Sequence, residues 1–158
     1  MATVSRDADV TLREITPENS EAIFALSVRA SQEHLVASNE RSIAQAHFEE
    51  SAWFRAIYAD EEPVGFVMLH DETLRAEPRE PGYVFLWRMM VDQRFQGMGL
   101  GEQAMQLLID HARTRPHDGK LRTSWHHGDG SAEGFYLKLG FIPTGVDDEG
   151  EMQAYLDL

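Results

Sequence analysis

The residues best suited to do chemistry lie in the segment Arg94-Phe95-Gln96-Gly97-Met98-Gly99-Leu100-Gly101, where three glycines alternate over five residues. Glycine has no side chain to cover its backbone N–H group, so a ligand can approach that group closely. The segment stands between a long apolar run and an amphipathic pattern. If a helix begins there, its first N–H groups form an anion site. The spacing therefore predicts a site for a phosphate-bearing ligand.

Two common phosphate-binding loops do not fit this segment. A P-loop ends in Gly-Lys-Ser/Thr, whereas Gly101 is followed by Glu102. A dinucleotide fingerprint opens a βαβ unit and needs a last glycine where Glu102 stands. A third pattern, Gln/Arg-x-x-Gly-x-Gly/Ala, fits residues 94–99. The alternative is a glycine-rich turn that binds nothing.

A second motif follows further along the chain, Ser131-Ala132-Glu133-Gly134-Phe135-Tyr136-Leu137-Lys138-Leu139-Gly140-Phe141. It is similar to the A-x-x-F-Y-x-K-L-G-F signature of the GNAT N-acetyltransferases, and residues 94–99 are similar to their acetyl-CoA motif. The resemblance runs from the first predicted strand to the last hairpin. It implies one N-acetyltransferase domain over residues 1–158, with the GNAT fold and acetyl-CoA as co-substrate.

The resemblance also implies roles for individual residues. Tyr136 would be the general acid that protonates the departing CoA sulfur, with packing in the core as the alternative. Main-chain groups of Met89, Met90 and Val91 would meet the pantetheine arm and the thioester carbonyl, and an N–H near Met90 would polarise that carbonyl. The remaining predicted cofactor contacts are Arg94, Gln96, Gly97, Met98, Gly99, Leu100, Gly101, Glu102, Asp129, Ser131 and Ala132.

Two positions depart from the family pattern. Many members have an asparagine seven residues before the tyrosine, where this chain has Asp129. An ionised aspartate accepts hydrogen bonds but donates none, so capping the following helix is the alternative role for Asp129. Some polyamine-acetylating members have a glutamate on the central strand, where this chain has Trp87. The sequence therefore does not assign the general base. The candidates are a water-mediated route and four side chains: Glu33, His34, His126 and His127.

Looser matches concern the acceptor. Residues 36–39, followed by residues 42–46, and the ending 140–145 with its acidic turn are similar to bacterial spermine/spermidine acetyltransferases. Together with a net charge of −13, they favour a polyamine acceptor. The alternatives are acetylation of an antibiotic or a protein N-terminal amine, a non-catalytic acyl-CoA-binding sensor, and an interaction module with a purely structural glycine turn.

Composition excludes several classes of protein. The chain has 158 residues, no cysteine and no visible basic stripe, which argues against disulfides, thiolate metal sites and nucleic-acid binding. His126 and His127 have no third ligand at a metal-binding spacing, so no metal site is predicted. No apolar run is long enough to cross a membrane, and the N-terminus lacks a secretory pattern. We expect a cytoplasmic protein that acts on a small amine, without nucleic-acid or membrane partners, with a homodimer possible.

These residues must be positioned by a mixed α/β fold, with helices among mostly antiparallel strands. The predicted strands cover residues 10–13, 53–59, 64–69, 83–91, 121–126, 141–146 and 152–156. The predicted helices are one capped by Thr16 that runs through Val28, a short one capped by Ser42, one from Leu100 through Ala112, and one over 131–139. The run 83–91 is apolar except at Arg88, which predicts a central strand buried on both faces.

Overall fold

The computed structural model describes residues 3–158, which contain one seven-stranded sheet. The strands are β1 (Val10–Arg13), β2 (Ala52–Ala59), β3 (Glu62–Asp71), β4 (Val84–Val91), β5 (Lys120–His126), β6 (Ile142–Val146) and β7 (Glu151–Asp157). Their order in the sheet is β1-β2-β3-β4-β5-β7-β6, and all neighbours are antiparallel except β4 and β5, which are parallel. This architecture confirms the predicted mixed α/β class.

Helices cover both faces of the sheet. They are α1 (Ser20–Phe24), α2 (Asn39–His47), α3 (Leu100–Thr114) and α4 (Glu133–Leu139), with short 3-10 helices at Ala30–Gln32 and Glu72–Leu74. Helices α3 and α4 pack on one face in a large apolar cluster, while α1 and α2 pack on the other in a smaller one. Among residues 3–158, no helix combines the length and apolar character needed to cross a membrane.

Helix α1 is shorter than the sequence pattern predicts. The chain forms a turn after Thr16, whose N–H donates to the Asn19 side chain, and the helix begins at Ser20. It ends at Phe24, and the Ser27 N–H donates to the buried Asp92 carboxylate instead (2.9 Å). The prediction was wrong at both ends because polar side chains hold backbone groups that the helix would otherwise use.

Helix α2 begins before Ser42, contrary to the prediction. Ser38 is its N-cap, and its hydroxyl accepts from the Arg41 N–H at 3.2 Å. Ser42 lies inside the helix and is buried. Both serines are plausible caps by residue type, and only the position of the preceding loop selects Ser38.

Helix α3 follows its predicted amphipathic pattern closely. Leu100, Ala104, Leu108 and Ala112 are buried, whereas Leu107 is exposed. Met105 and Ile109 lie on the buried face. The helix therefore fixes the end of the glycine segment firmly against the sheet, since its first residue belongs to the core.

Candidate active site

The central opening of the molecule lies where β4 and β5 separate. The two strands pair only at Phe85 with Arg122 and at Leu86 with Thr123. The Thr123 hydroxyl donates to the Leu86 carbonyl at 3.2 Å and fills the point of separation. Beyond it β5 stays paired with β7, while β4 diverges, and a cleft of ≈ 1070 Å³ opens between them.

A bulge in β4 aims residues into this cleft. Met68 and Leu69 of β3 pair with Arg88 and Leu86, so Trp87 is an extra residue in the strand. Such an insertion bends the strand and redirects its side chains. Trp87 packs against the α1 and α2 cluster, and Arg88 donates to Gln45 of α2. The expected burial of β4 on both faces was therefore wrong, because the second half of the strand borders the cleft.

The backbone of β4 beyond the bulge presents alternate residues to the cleft. The Asp92 N–H donates to Val64 on β3 (2.7 Å), whereas the Val91 carbonyl accepts from Gln96 on the cleft side (3.0 Å). Backbone groups of successive strand residues point to opposite edges. Met89 and Val91 therefore turn their N–H and C=O groups toward the cleft. The main-chain groups of Met90, which were also expected there, point toward β3 instead.

The glycine segment forms a cradle of unpaired N–H groups beside these residues. Within residues 3–158, the N–H groups of residues 96–102 have no protein acceptor, and the first bond of α3 runs from Gln103 to Gly99. Gly97 (φ 78°) and Gly99 (φ 80°) adopt left-handed conformations that other residues rarely take. The cradle, residues 96–102, therefore combines bare amides with the positive end of α3, as an anionic group requires.

Gln96 and Arg94 behave differently from each other. Gln96 lines the cleft and donates to both the Val91 carbonyl and Gln32 Oε1 at 3.0 Å. Arg94 lies outside the cleft, where its Nε donates to Asp92 at 2.8 Å. The fixed amide of Gln96 thus ties the cradle to β4, while the charge of Arg94 is already paired.

The cleft brings together most, but not all, of the predicted cofactor residues. Those that line it are Met89, Met90, Val91, Gln96, Gly97, Gly99, Gly101, Glu102, Ser131 and Ala132. The side chains of Arg94, Met98 and Leu100 lie outside, and Leu100 is buried in the core. Asp129 is exposed, lies outside the cleft and does not cap α4, whose N-cap is Ala132. Capping by Asp129 is thus corrected: Ser131 Oγ accepts from the Glu133 N–H instead.

Tyr136 belongs both to the core and to the cleft. Its ring stacks on Trp125 and meets Phe135 and Phe141 edge-on, and the residue lines the cleft. Burial raises the pKa of Tyr136 to about 12, opposed in part by a hydrogen bond with the Thr123 hydroxyl. The phenol is therefore protonated at neutral pH and available as a proton donor.

Strands β5 and β7 contribute a histidine–carboxylate pair to the cleft. His126 Nε2 lies 3.1 Å from Glu151 Oε1, and the Ser124 hydroxyl lies 3.4 Å from Glu151 Oε2. Of the predicted base candidates, Glu33, His34 and His126 line the cleft, whereas His127 lies outside it. Sequence reasoning missed Glu151, because only the register of β5 against β7 places it opposite His126.

The fold, the cleft and the sequence together define the class of protein. The sequence profile of the Acetyltransferase (GNAT) family matches residues 17–141, and the chain belongs to this family. It is an acetyl-CoA-dependent N-acetyltransferase. The family, the fold and the co-substrate predicted from the two motifs are thereby confirmed.

Similar proteins are named for three kinds of acceptor. The chain is 27% identical over 145 residues to a spermine/spermidine N(1)-acetyltransferase of Bacillus subtilis, covering 90% of this chain and 94% of that protein. It is 32% identical over 106 residues to the peptidyl-lysine N-acetyltransferase YjaB of Salmonella typhimurium, covering 65% and 61%. Its fold is also that of the aminoglycoside acetyltransferase AAC(6')-Ib in complex with coenzyme A, with a TM-score of 0.75, 18% identity and coverage of 94% and 95%.

Proposed function

We propose that this protein transfers the acetyl group of acetyl-CoA to a primary amine of a small molecule in the cleft between β4 and β5. The observation that carries this proposal is the placement of Tyr136, a buried phenol on the cleft wall where the two strands part. The same cleft is lined by the glycines of the cradle, whose amides are unpaired, and by the His126–Glu151 pair.

The cradle is suited to the pyrophosphate of the donor. Its N–H groups lack protein acceptors, and a Cβ at Gly97 or Gly99 would meet nothing within 4 Å. The backbone can therefore lie directly against phosphate oxygens, and the N-terminus of α3 adds a favourable dipole. These local amides and the helix dipole would explain how a chain of net charge −13 binds an anionic donor.

Tyr136 would then act as the general acid. As the amine nitrogen bonds to the acetyl carbon and the carbon–sulfur bond breaks, Tyr136 donates its proton to the sulfur. The cleft-facing N–H groups of Met89 and Val91 would polarise the acetyl carbonyl. One such donor lowers a barrier of this type by roughly 3 kcal/mol.

His126 is the base that the geometry supports best. It lines the cleft, and Glu151 Oε1, 3.1 Å from its Nε2, orients its ring. Neutral His126 would accept the proton that the amine loses, directly or through one water molecule. Glu33 and His34 also line the cleft, but among the described residues neither takes part in an ion pair such as that of His126 with Glu151.

The acceptors to examine first follow from the named relatives. Polyamines are supported by the Bacillus subtilis relative and by acidic side chains that line the outer cleft at Asp147, Glu149 and Glu151. The lysine side chain is supported by the peptidyl-lysine relative. Both acceptors present a primary amine on a flexible aliphatic chain.

A thiol-release assay over a panel of amines tests the proposal. The panel contains spermidine, cadaverine, lysine, a lysine-containing peptide and an aminoglycoside. We expect release of CoA with at least one primary amine and none with the matching tertiary amine. Tight binding of CoA without release in the presence of any amine would instead support a non-catalytic sensor.

A further inference from the structure

Arg88 is unusual among the arginines of this chain. Seven arginines have a carboxylate within 4.0 Å, namely Arg13, Arg55, Arg75, Arg94, Arg113, Arg115 and Arg122. Among the others in residues 3–158, Arg88 alone is not exposed. It lies on the central strand at the bulge and lines the cleft. A half-buried cation without a counter-ion is costly, since burial removes the water that would otherwise stabilise its charge.

The guanidinium of Arg88 is held in place but not satisfied. It donates to the Trp87 carbonyl and to Gln45 Oε1, both at 3.1 Å. A guanidinium has five N–H donors, so these two bonds leave most of its hydrogen-bonding capacity unused. Nε is fully buried and has no acceptor within the described residues. Gln45 and the Trp87 ring thus orient the fork without neutralising it.

A second guanidinium increases the positive charge in this part of the cleft. Arg41 lies one turn before Gln45 on α2, is exposed and also lines the cleft. Glu151, the carboxylate that interacts electrostatically with Arg88, is already bonded to His126 and Ser124. The pKa of Arg88 is lowered by burial, with Glu151 opposing and Arg41 adding to the effect. An acceptor that carries only positive charges gains nothing from this arrangement.

We propose that Arg88 binds a carboxylate of the acceptor, so that the acceptor is an amino acid or a similar molecule with both an amine and a carboxylate. The arginine fork matches a carboxylate in two hydrogen bonds and would supply the missing counter-ion. Arg41 closes over the same group from α2. The amine end then lies toward His126 and Glu151. This inference rests on the proposed acetyl transfer and selects among its acceptors.

Matched acceptors that differ only in a carboxylate test the inference. Lysine is compared with cadaverine, and leucine with 3-methylbutylamine, by kcat/KM in the CoA-release assay. In at least one pair we expect the carboxylate-bearing member to be favoured about tenfold or more, chiefly through KM. Arg88→Gln should abolish that preference and leave kcat/KM of the plain amine unchanged or higher. Arg113→Gln, an exposed arginine of α3 outside the cleft, is the control.

Binding provides a second measurement that does not depend on turnover. Calorimetry with the CoA-loaded protein should show weaker binding of the favoured carboxylate compound, but not of its plain amine, in Arg88→Gln. If that variant fails to fold, Arg41→Gln should reduce the preference in part. Equal use of both members of each pair, or a preference that survives Arg88→Gln, would overturn the inference and leave the acetyl transfer standing. No CoA release with any amine would overturn both.

Discussion

The ring of Tyr136 stacks on the indole of Trp125, with centroids 5.4 Å apart and an interplanar angle of 12°. Trp125 comes from the strand that forms one wall of the cleft, and Tyr136 from the helix that closes its end. Their contact fixes the phenol at the point where β4 leaves β5. A side chain held in this way keeps its hydroxyl in one position, as a proton donor requires.

Tyr136→Phe removes the proton donor and keeps the ring. We expect kcat to fall about 100-fold, in the range of general acid effects, with little change in acetyl-CoA affinity. The free energy of unfolding should fall by only about 1 kcal/mol, because one hydrogen bond is lost. Tyr155→Phe, on β7 outside the cleft, is the matched control and should leave kcat unchanged. An unchanged kcat in Tyr136→Phe would remove Tyr136 from the chemistry.

The raised pKa of Tyr136 has a consequence for the pH profile. Burial raises this pKa from its ordinary value near 10 to about 12, so the phenol stays protonated through alkaline pH. We therefore expect that ionisation of Tyr136 does not lower kcat at any pH up to about 10. The stability that the neutral phenol contributes is present below about pH 10 and is lost as the pH rises toward 12. A fall in kcat near pH 9 that disappears in Tyr136→Phe would contradict this account.

Gly99→Val tests the cradle. A Cβ at Gly99 meets nothing within 4 Å in the protein, so it would project into the space that the phosphates need. We expect CoA to bind at least about tenfold more weakly, as lost hydrogen bonds to a charged group predict. Gly119→Val is a close control, because Gly119 has a similar φ of 92°, the same open surroundings and no place in the cleft. Both variants should lose about 1–2 kcal/mol of stability from left-handed strain, while only Gly99→Val loses affinity.

Glu151→Gln tests the role of the His126–Glu151 pair of strands β5 and β7. The amide keeps the shape of the side chain but removes the negative charge that lies 3.1 Å from His126. We expect kcat/KM for the amine to fall about tenfold, while the affinity for CoA stays the same. Glu133→Gln provides the comparison, since Glu133 lies 3.7 Å from His127 and neither residue lines the cleft. If both changes lowered kcat/KM equally, the loss would come from removing any negative charge and not from breaking the His126–Glu151 pair.

The elements that carry strong periodic patterns could be predicted from the sequence. Strand β4, helix α3 and the end of α4 at Leu139 all lie where the pattern predicted them. Each follows from a pattern of neighbouring residues in the sequence, such as apolar residues at helical spacing. Helix α1 was overextended, because its end is set by a hydrogen bond between Ser27 and the distant Asp92.

The two halves of the site differ in how far the sequence could define them. The cradle follows from consecutive residues, so a local motif was enough to predict it. The part of the cleft that contains Arg88, His126 and Glu151 depends on strand register. A bulge at Trp87 turns Arg88 toward α2, and the pairing of β5 with β7 places Glu151 opposite His126. Arg88 was visible as the polar exception in an apolar run, but its surroundings come from three separate elements.

Identification of the acetylated amine by mass spectrometry tests the central claim most directly. The purified protein is incubated with labelled acetyl-CoA and the amine panel, and both free CoA and acetylated amine are quantified. We predict that one labelled acetyl group appears on a primary amine for each CoA released, and that Tyr136→Phe slows both together. Release of CoA without any acetylated amine, or firm CoA binding without release, would contradict acetyl transfer in this cleft.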